Sequence, residues 1–197
     1  MSITILVLLA VLAFWLLGAY QRLKRLRHAA ATAYGPLASH LRQRHAVALA
    51  LAHASEALLG RDHPLLGPVV EAAHQAGSAT DEAQIRGMKG NALQQVGAAE
   101  EALGQVLDPL IAALQDLTSG LGPEPAITEL LRQRDTLQAH IHTTRLLYNH
   151  AAQTYNSALH VFPTTLAATL LRFREAPLLS GHATLRLLGS PSAPMPL

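Results

Sequence analysis

The sequence predicts an all-α chain: an N-terminal transmembrane helix followed by an antiparallel up-and-down four-helix bundle. Three observations point there. An 18-residue run without a charged side chain, Ile3 to Tyr20, opens the chain. Half of the 197 residues are hydrophobic but only 4% are aromatic, so Ala and Leu supply most of the apolar mass. Their side chains lose little freedom in a helix. Beyond the run, apolar residues recur three and four apart between turn signals, with no alternating strand pattern and no internal repeat.

Residues 1–21 read as the anchor. At about 1.5 Å per residue, ITILVLLAVLAFWLLGAY spans about 27 Å, close to the thickness of the hydrocarbon layer. Arg22, Lys24, Arg25 and Arg27 follow at once, and no Lys or Arg precedes. Cationic flanks stay on the cytoplasmic side, so these four residues set the topology: Met1 outside, the rest inside. Trp15 and Tyr20 stand near the inner end, where amphipathic rings favour the headgroup zone. A cleaved signal peptide would need a positive n-region and a small-residue cleavage site, and neither is present. A lipid-modified Cys is excluded because the chain has no Cys.

Charge is unevenly placed. Residues 22–61 carry seven Lys/Arg against one acid, Glu56; residues 62–197 carry eight against twelve. The basic pI of 9.3 thus reflects a cationic belt beside the membrane, where anionic lipid attracts it. It is not the basic face of a nucleic-acid-binding domain.

Residues 22–174 form the bundle domain. Leu23, Leu26, Ala30, Ala33, Leu37, Leu41, Ala48, Leu51, Ser55 and Leu58 continue the first helix out of the membrane, with a kink expected at Gly35-Pro36. Gly60 to Pro64 breaks it. A shorter segment, Leu65 to Ala76, is expected to end at a Gly77-Ser78 turn, with Thr80 or Asp81 capping the next helix. From Ala92 the helical pattern strengthens through Leu93, Val96, Leu103, Val106, Leu110, Leu114 and Leu117, and Pro109 should bend or split it. Ser119 to Pro125, SGLGPEP, reads as a loop. The last long helix repeats every seven residues: Ile127, Leu130, Leu137, Ile141, Tyr148, Ala151, Tyr155, Ala158 and Phe162. Pro163 ends it. Residues 163–174 are amphipathic, with Leu166, Leu170 and Phe173 beside Arg172 and Arg174. They either lie in the headgroup zone or fold back to cap the bundle. Residues 175–197 hold Pro177, Pro191, Pro194 and Pro196 and are expected to be a largely disordered tail.

Inside the last helix stands LYNHAAQTYNSALHVFP, Leu147 to Pro163. Seven residues turn a helix by about 700°, so Tyr148, Tyr155 and Phe162 form one aromatic stripe, and Asn149 and Asn156 an adjacent polar one. The aromatic stripe is expected in the core. The Asn amides bond to neighbouring helices, or set register in a self-association surface, as buried Asn does in coiled coils, or line a ligand pocket.

These pairs, the anchor exit WLLGAYQRLKRLR (Trp15 to Arg27) and LRQRH (Leu41 to His45) together resemble the LemA family of bacterial membrane proteins. The resemblance extends to the stretch after Pro163, with Leu166, Ala168, Leu170 and Phe173. It covers both ends of the domain in order. The sequence departs from the family pattern at His45 to Leu49, at the SGLGPEP loop and at Gln138-Ala139-His140. The resemblance implies a single-pass protein with a helical-bundle domain and no established enzymatic activity; with the charge asymmetry, the expected location is the bacterial inner membrane with the bundle in the cytoplasm. One branch of the family is associated with magnetosome membranes.

Catalytic chemistry finds little support. The eleven His show no metal-ligand spacing: His140 and His142 are two apart, His40 and His45 five apart, and no HExxH or Cys ligand accompanies them. They read as isolated surface or half-buried residues. Asp81-Glu82 and Glu100-Glu101 are adjacent and diverge by about 100° around a helix, so they read as solvated faces rather than dyads. Gly87 to Asn91 lacks phosphate-loop spacing. The expected function is therefore non-enzymatic, without cofactor or metal. It is a membrane-anchored interaction or scaffold module that associates with itself or with a further protein partner, the lipid bilayer being its other partner. A membrane-tethered ligand-sensing or signalling adaptor is the alternative.

Overall fold

In the computed structural model the described residues are 2–86, 91–122, 124–162 and 164–179, and their regular structure is entirely helical. The helices are α1 (Ser2–Leu59), α2 (Leu66–Arg86), α3 (Ala92–Leu121), α4 (Pro125–His160) and α5 (Thr164–Leu170).

α1 is a single helix of 58 residues, about 87 Å long, that runs from the apolar segment into the domain without interruption. Pro36 lies inside it. Pro36 and Thr32, whose carbonyl the proline leaves unpaired, are both exposed, so water can satisfy that carbonyl. Gly60, at φ +89°, stops the helix in a left-handed conformation that a side chain would resist.

α2 corrects the expected turn at Gly77-Ser78: the helix passes through both residues. Thr80 does not cap anything. Its hydroxyl donates to the Ala76 carbonyl at 2.8 Å within the helix. Burial of Val69, Ala73, Ala76, Thr80 and Ala83 along one face outweighs the propensity cost of one Gly, about 1 kcal/mol. Likewise Pro109 does not split α3. Pro109 and Gln105 are exposed, while Leu103, Leu107, Leu110 and Leu114 continue the buried face across the proline. The expected loop at 119–125 shrinks to 122–124, because α3 reaches Leu121 and α4 begins at Pro125. Glu124 caps α4, its carboxylate accepting from the Ile127 N–H at 2.8 Å, and Pro125 supplies the preset first turn.

α1 packs along α4 on one side and α2 on the other; α3 packs on α2, and α5 lies against both α1 and α4. α1 and α4 are antiparallel: Trp15 faces Phe162, Tyr34 faces Tyr148 and His40 faces His140. The apolar core falls into two clusters. One joins Leu23, Leu37, Leu41, Leu93, Val96, Ile141, Tyr148 and Tyr155; the other joins Leu51, Val69, Leu103, Leu107, Leu110, Leu114 and Ile127.

The chain past α5 corrects the tail boundary at 175. Ala176 and Leu179 are buried in the first cluster, so the packed domain extends at least to Leu179. The rest of the 175–197 segment, from residue 180, and Pro163 lie outside the described residues.

Candidate functional site

The end of α5 reverses the chain. Arg172 takes a left-handed conformation, φ 53°. Its N–H donates to the Thr169 carbonyl, and the Phe173 N–H to the Ala168 carbonyl. This is a Schellman closure with Arg where Gly is usual. It aims Phe173 at the core and sends residues 174–179 back along α4.

The two Tyr-Asn pairs hold that returning strap. Tyr155 Oη donates to the Arg174 carbonyl at 2.9 Å, and Tyr148 Oη to the Pro177 carbonyl at 2.7 Å. Asn156 Nδ2 donates to the Ala176 carbonyl at 2.8 Å while its Oδ1 accepts from the Ala176 N–H at 2.8 Å. Asn149 treats Leu179 identically, at 2.9 and 3.0 Å. Each Asn amide therefore mimics a strand neighbour, satisfying both backbone groups of one strap residue. The repeat lengths agree. Seven helical residues rise about 10.5 Å, and three extended residues span about 10 Å. So Tyr155/Asn156 pair with 174/176, and Tyr148/Asn149 with 177/179. Pro177 occupies a position where only the carbonyl is used.

This corrects two expectations. The Asn amides bond to the chain's own extended segment, not to neighbouring helices, and being filled they are not available to set register with a second copy. Phe162 is not core. α4 ends at His160, Val161 turns to an extended conformation, and Phe162 is 76% exposed. Tyr148 and Tyr155 are buried as expected. Burial, with neighbouring Tyr34 adding to it, pushes the Tyr148 hydroxyl up to about 12. Burial also raises Tyr155, against an opposing pull from Arg27. Both hydroxyls stay protonated and keep donating to the strap.

Ala176→Pro removes the N–H that Asn156 accepts. We expect a loss of roughly 1–3 kcal/mol, the cost of stranding one buried polar group. The Leu179 amide should also lose hydrogen-exchange protection. Protection equal to the parent's would show that the Asn156–Ala176 pair is not needed to hold the strap's end.

A second polar site separates the two core clusters. Glu100 of α3 receives both Arg44 and His45 of α1. The three side chains are only 14%, 17% and 5% exposed in that order. Glu100 is thus not a solvated face residue, and His45 is not half-buried: both readings are corrected. Arg145 of α4 is pushed down, first by burial and then by repulsion from Arg44. One carboxylate therefore serves a layer rich in cations. LRQRH contains both α1 partners, but nothing in the sequence links them to Glu100 across 55 residues.

His40 of α1 and His140 of α4 also meet, their ring centroids 5.3 Å apart. Among the described residues no three His, Asp or Glu gather to hold a metal ion. An open polar groove of about 450 Å³ between α2 and α3 is lined by Glu71, His74, Gln75, Ser78, Glu82 and Gln95, with Ala79 and Ala99. Arg22, Lys24 and Arg25 are exposed on α1, and Arg27 is half-buried. The apolar part of α1 is long enough to cross a membrane, and among the described residues it is mostly exposed, with Trp15, Leu16 and Ala19 half-buried near its end.

The sequence model of the LemA family matches residues 33–185. No curated protein and no solved structure matches the chain.

Proposed function

Because the chain belongs to the LemA family, we propose that it is a membrane-anchored, non-enzymatic interaction or scaffold module. In this reading the domain is a cytoplasmic four-helix bundle on a single N-terminal span, in the inner membrane. One observation carries it. α1 is one continuous helix from the apolar run into the domain, so no loop separates the run from the domain. The motif residues Tyr148, Asn149, Tyr155 and Asn156 serve the same end, their polar groups being used to hold the chain's own strap. The outer face of α4 offers adjacent exposed Leu146 and Leu147 as a contact surface for a partner protein or a second copy. Purification from native membranes in mild detergent, with identification of the proteins that accompany the chain, tests the proposal. Leu146→Glu/Leu147→Glu should lose the companion while melting like the parent. A companion that survives this change binds elsewhere.

Orientation is tested separately. With Met1 outside, protease added to intact spheroplasts should leave the domain whole. Neutralising Arg22, Lys24, Arg25 and Arg27 should produce mixed orientations. Digestion of the parent domain from outside would refute the cytoplasmic placement.

The alternative, a ligand-sensing adaptor, draws on the α2/α3 groove with its three acidic or imidazole side chains. A small molecule that raises the melting temperature of the parent, but not of a Glu71→Gln/Glu82→Gln variant, would favour it.

A further inference from the structure

α5 divides its faces sharply. Thr164, Ala167 and Ala168 are buried against the domain, whereas Leu166 and Leu170, one turn apart, are 56% and 67% exposed. Phe162 before it and Leu171 after it are exposed as well. α5 thus does cap the domain, but with its small residues, and it turns its large apolar ones outward.

The height of this rim along α1 gives it meaning. The Phe162 ring meets Trp15, centroids 6.2 Å apart, and Phe173 meets Tyr20 at 6.1 Å. Trp15 lies five residues inside the uncharged run that ends at Tyr20, about 7.5 Å along the helix. The folded domain therefore overlaps the apolar run instead of stopping below it. If residues 3–20 span the hydrocarbon layer, the Phe162 turn and α5 cannot remain in water. The large side chains they expose there are apolar, Thr169 being the exposed polar one, and the cations Arg172 and Arg174 after α5 and Arg22, Lys24 and Arg25 on α1 are exposed as well.

We propose that Val161, Phe162 and residues 164–171 form a collar seated in the cytoplasmic membrane–water interface, with Phe162, Leu166 and Leu170 at the acyl boundary. The flanking cations then meet anionic headgroups, as in interfacial amphipathic segments. The occupant of this surface is lipid, because the rim is continuous with the surface of α1 that lipid already covers. The inference rests on the anchor reading above.

The chain has no Cys, so single-cysteine variants of the full-length protein carry one spin label each. Leu8→Cys reports the anchor, Leu166→Cys and Leu170→Cys the collar, and Ile85→Cys the exposed end of α2. The variants are reconstituted in nanodiscs of mixed zwitterionic and anionic phospholipid. Collision with oxygen, which enters lipid, is compared with collision with a water-soluble nickel chelate. Labels at 166 and 170 should favour oxygen, at a depth shallower than position 8, while position 85 favours nickel. Labels at 166 and 170 that behave like position 85, with position 8 in lipid, would overturn the collar and leave the anchor standing. Shielding from both reagents would mean that protein covers the rim, and would overturn it too. Nickel access at position 8 would refute the anchor itself.

Discussion

Tyr155→Ala should cost the protein about 3–5 kcal/mol, the usual range for emptying a buried aromatic site. Tyr155 is 1% exposed in the core cluster shared by α1, α4 and the strap. Its hydroxyl also supplies the first of the six bonds holding residues 174–179. Truncation therefore opens a cavity and strands the Arg174 carbonyl. Tyr155→Phe separates the two effects. It should keep most of the packing and lose roughly 1 kcal/mol, the net worth of one hydrogen bond. Denaturant unfolding of the full-length protein in detergent, followed by helical circular dichroism, gives both values. Equal midpoints for parent and Tyr155→Ala would place this ring outside the core.

Glu100→Ala should be of similar weight and should act through a different mechanism. Removing one member of a buried ion pair leaves the other charge without compensation, typically at about 3–5 kcal/mol. Here Arg44 and His45 both lose their acceptor and Arg145 stands near Arg44. Residual exposure of Arg44 and Glu100 places the expected loss toward the lower end of that range. Glu100→Gln keeps the shape and part of the hydrogen bonding, so it should fall between parent and Ala. An Ala variant as stable as the parent would show that water, not Glu100, satisfies Arg44 and His45.

The elements readable from sequence are those with local causes. The uncharged run, the Gly60 stop and the seven-residue repeat of the last helix depend on neighbours in the chain, and each stands where its residues place it except at Phe162, where α4 has already ended. Sequence and structure part where tertiary packing overrides a local signal. Gly77-Ser78 and Pro109 look like breaks, yet the buried faces of α2 and α3 run straight through them. The strap is hidden because Pro177 reads as disorder. Its partners, Asn149 and Asn156, look like helix-to-helix contacts, since nothing local shows a chain doubling back. Only the match between seven helical and three extended residues could expose it. Arg172 hides the reversal further by standing where Gly would signal it. Glu100 beside Glu101 gives no sign of which of the two faces inward.

If the apolar run spans a membrane as proposed, the unbroken α1 makes the protein a lever. From Tyr20, at the end of that run, to Leu59 at the far turn is 39 residues, an arm of about 58 Å. Transmembrane helices answer a change in bilayer thickness by tilting, and a tilt of about 10° would sweep the distal end sideways by about 10 Å. A flexible juncture would absorb that motion; a continuous helix passes it on. The α1–α2 turn, at the end of α1 away from the apolar run, would then move with the full length of that arm when the membrane thins or thickens.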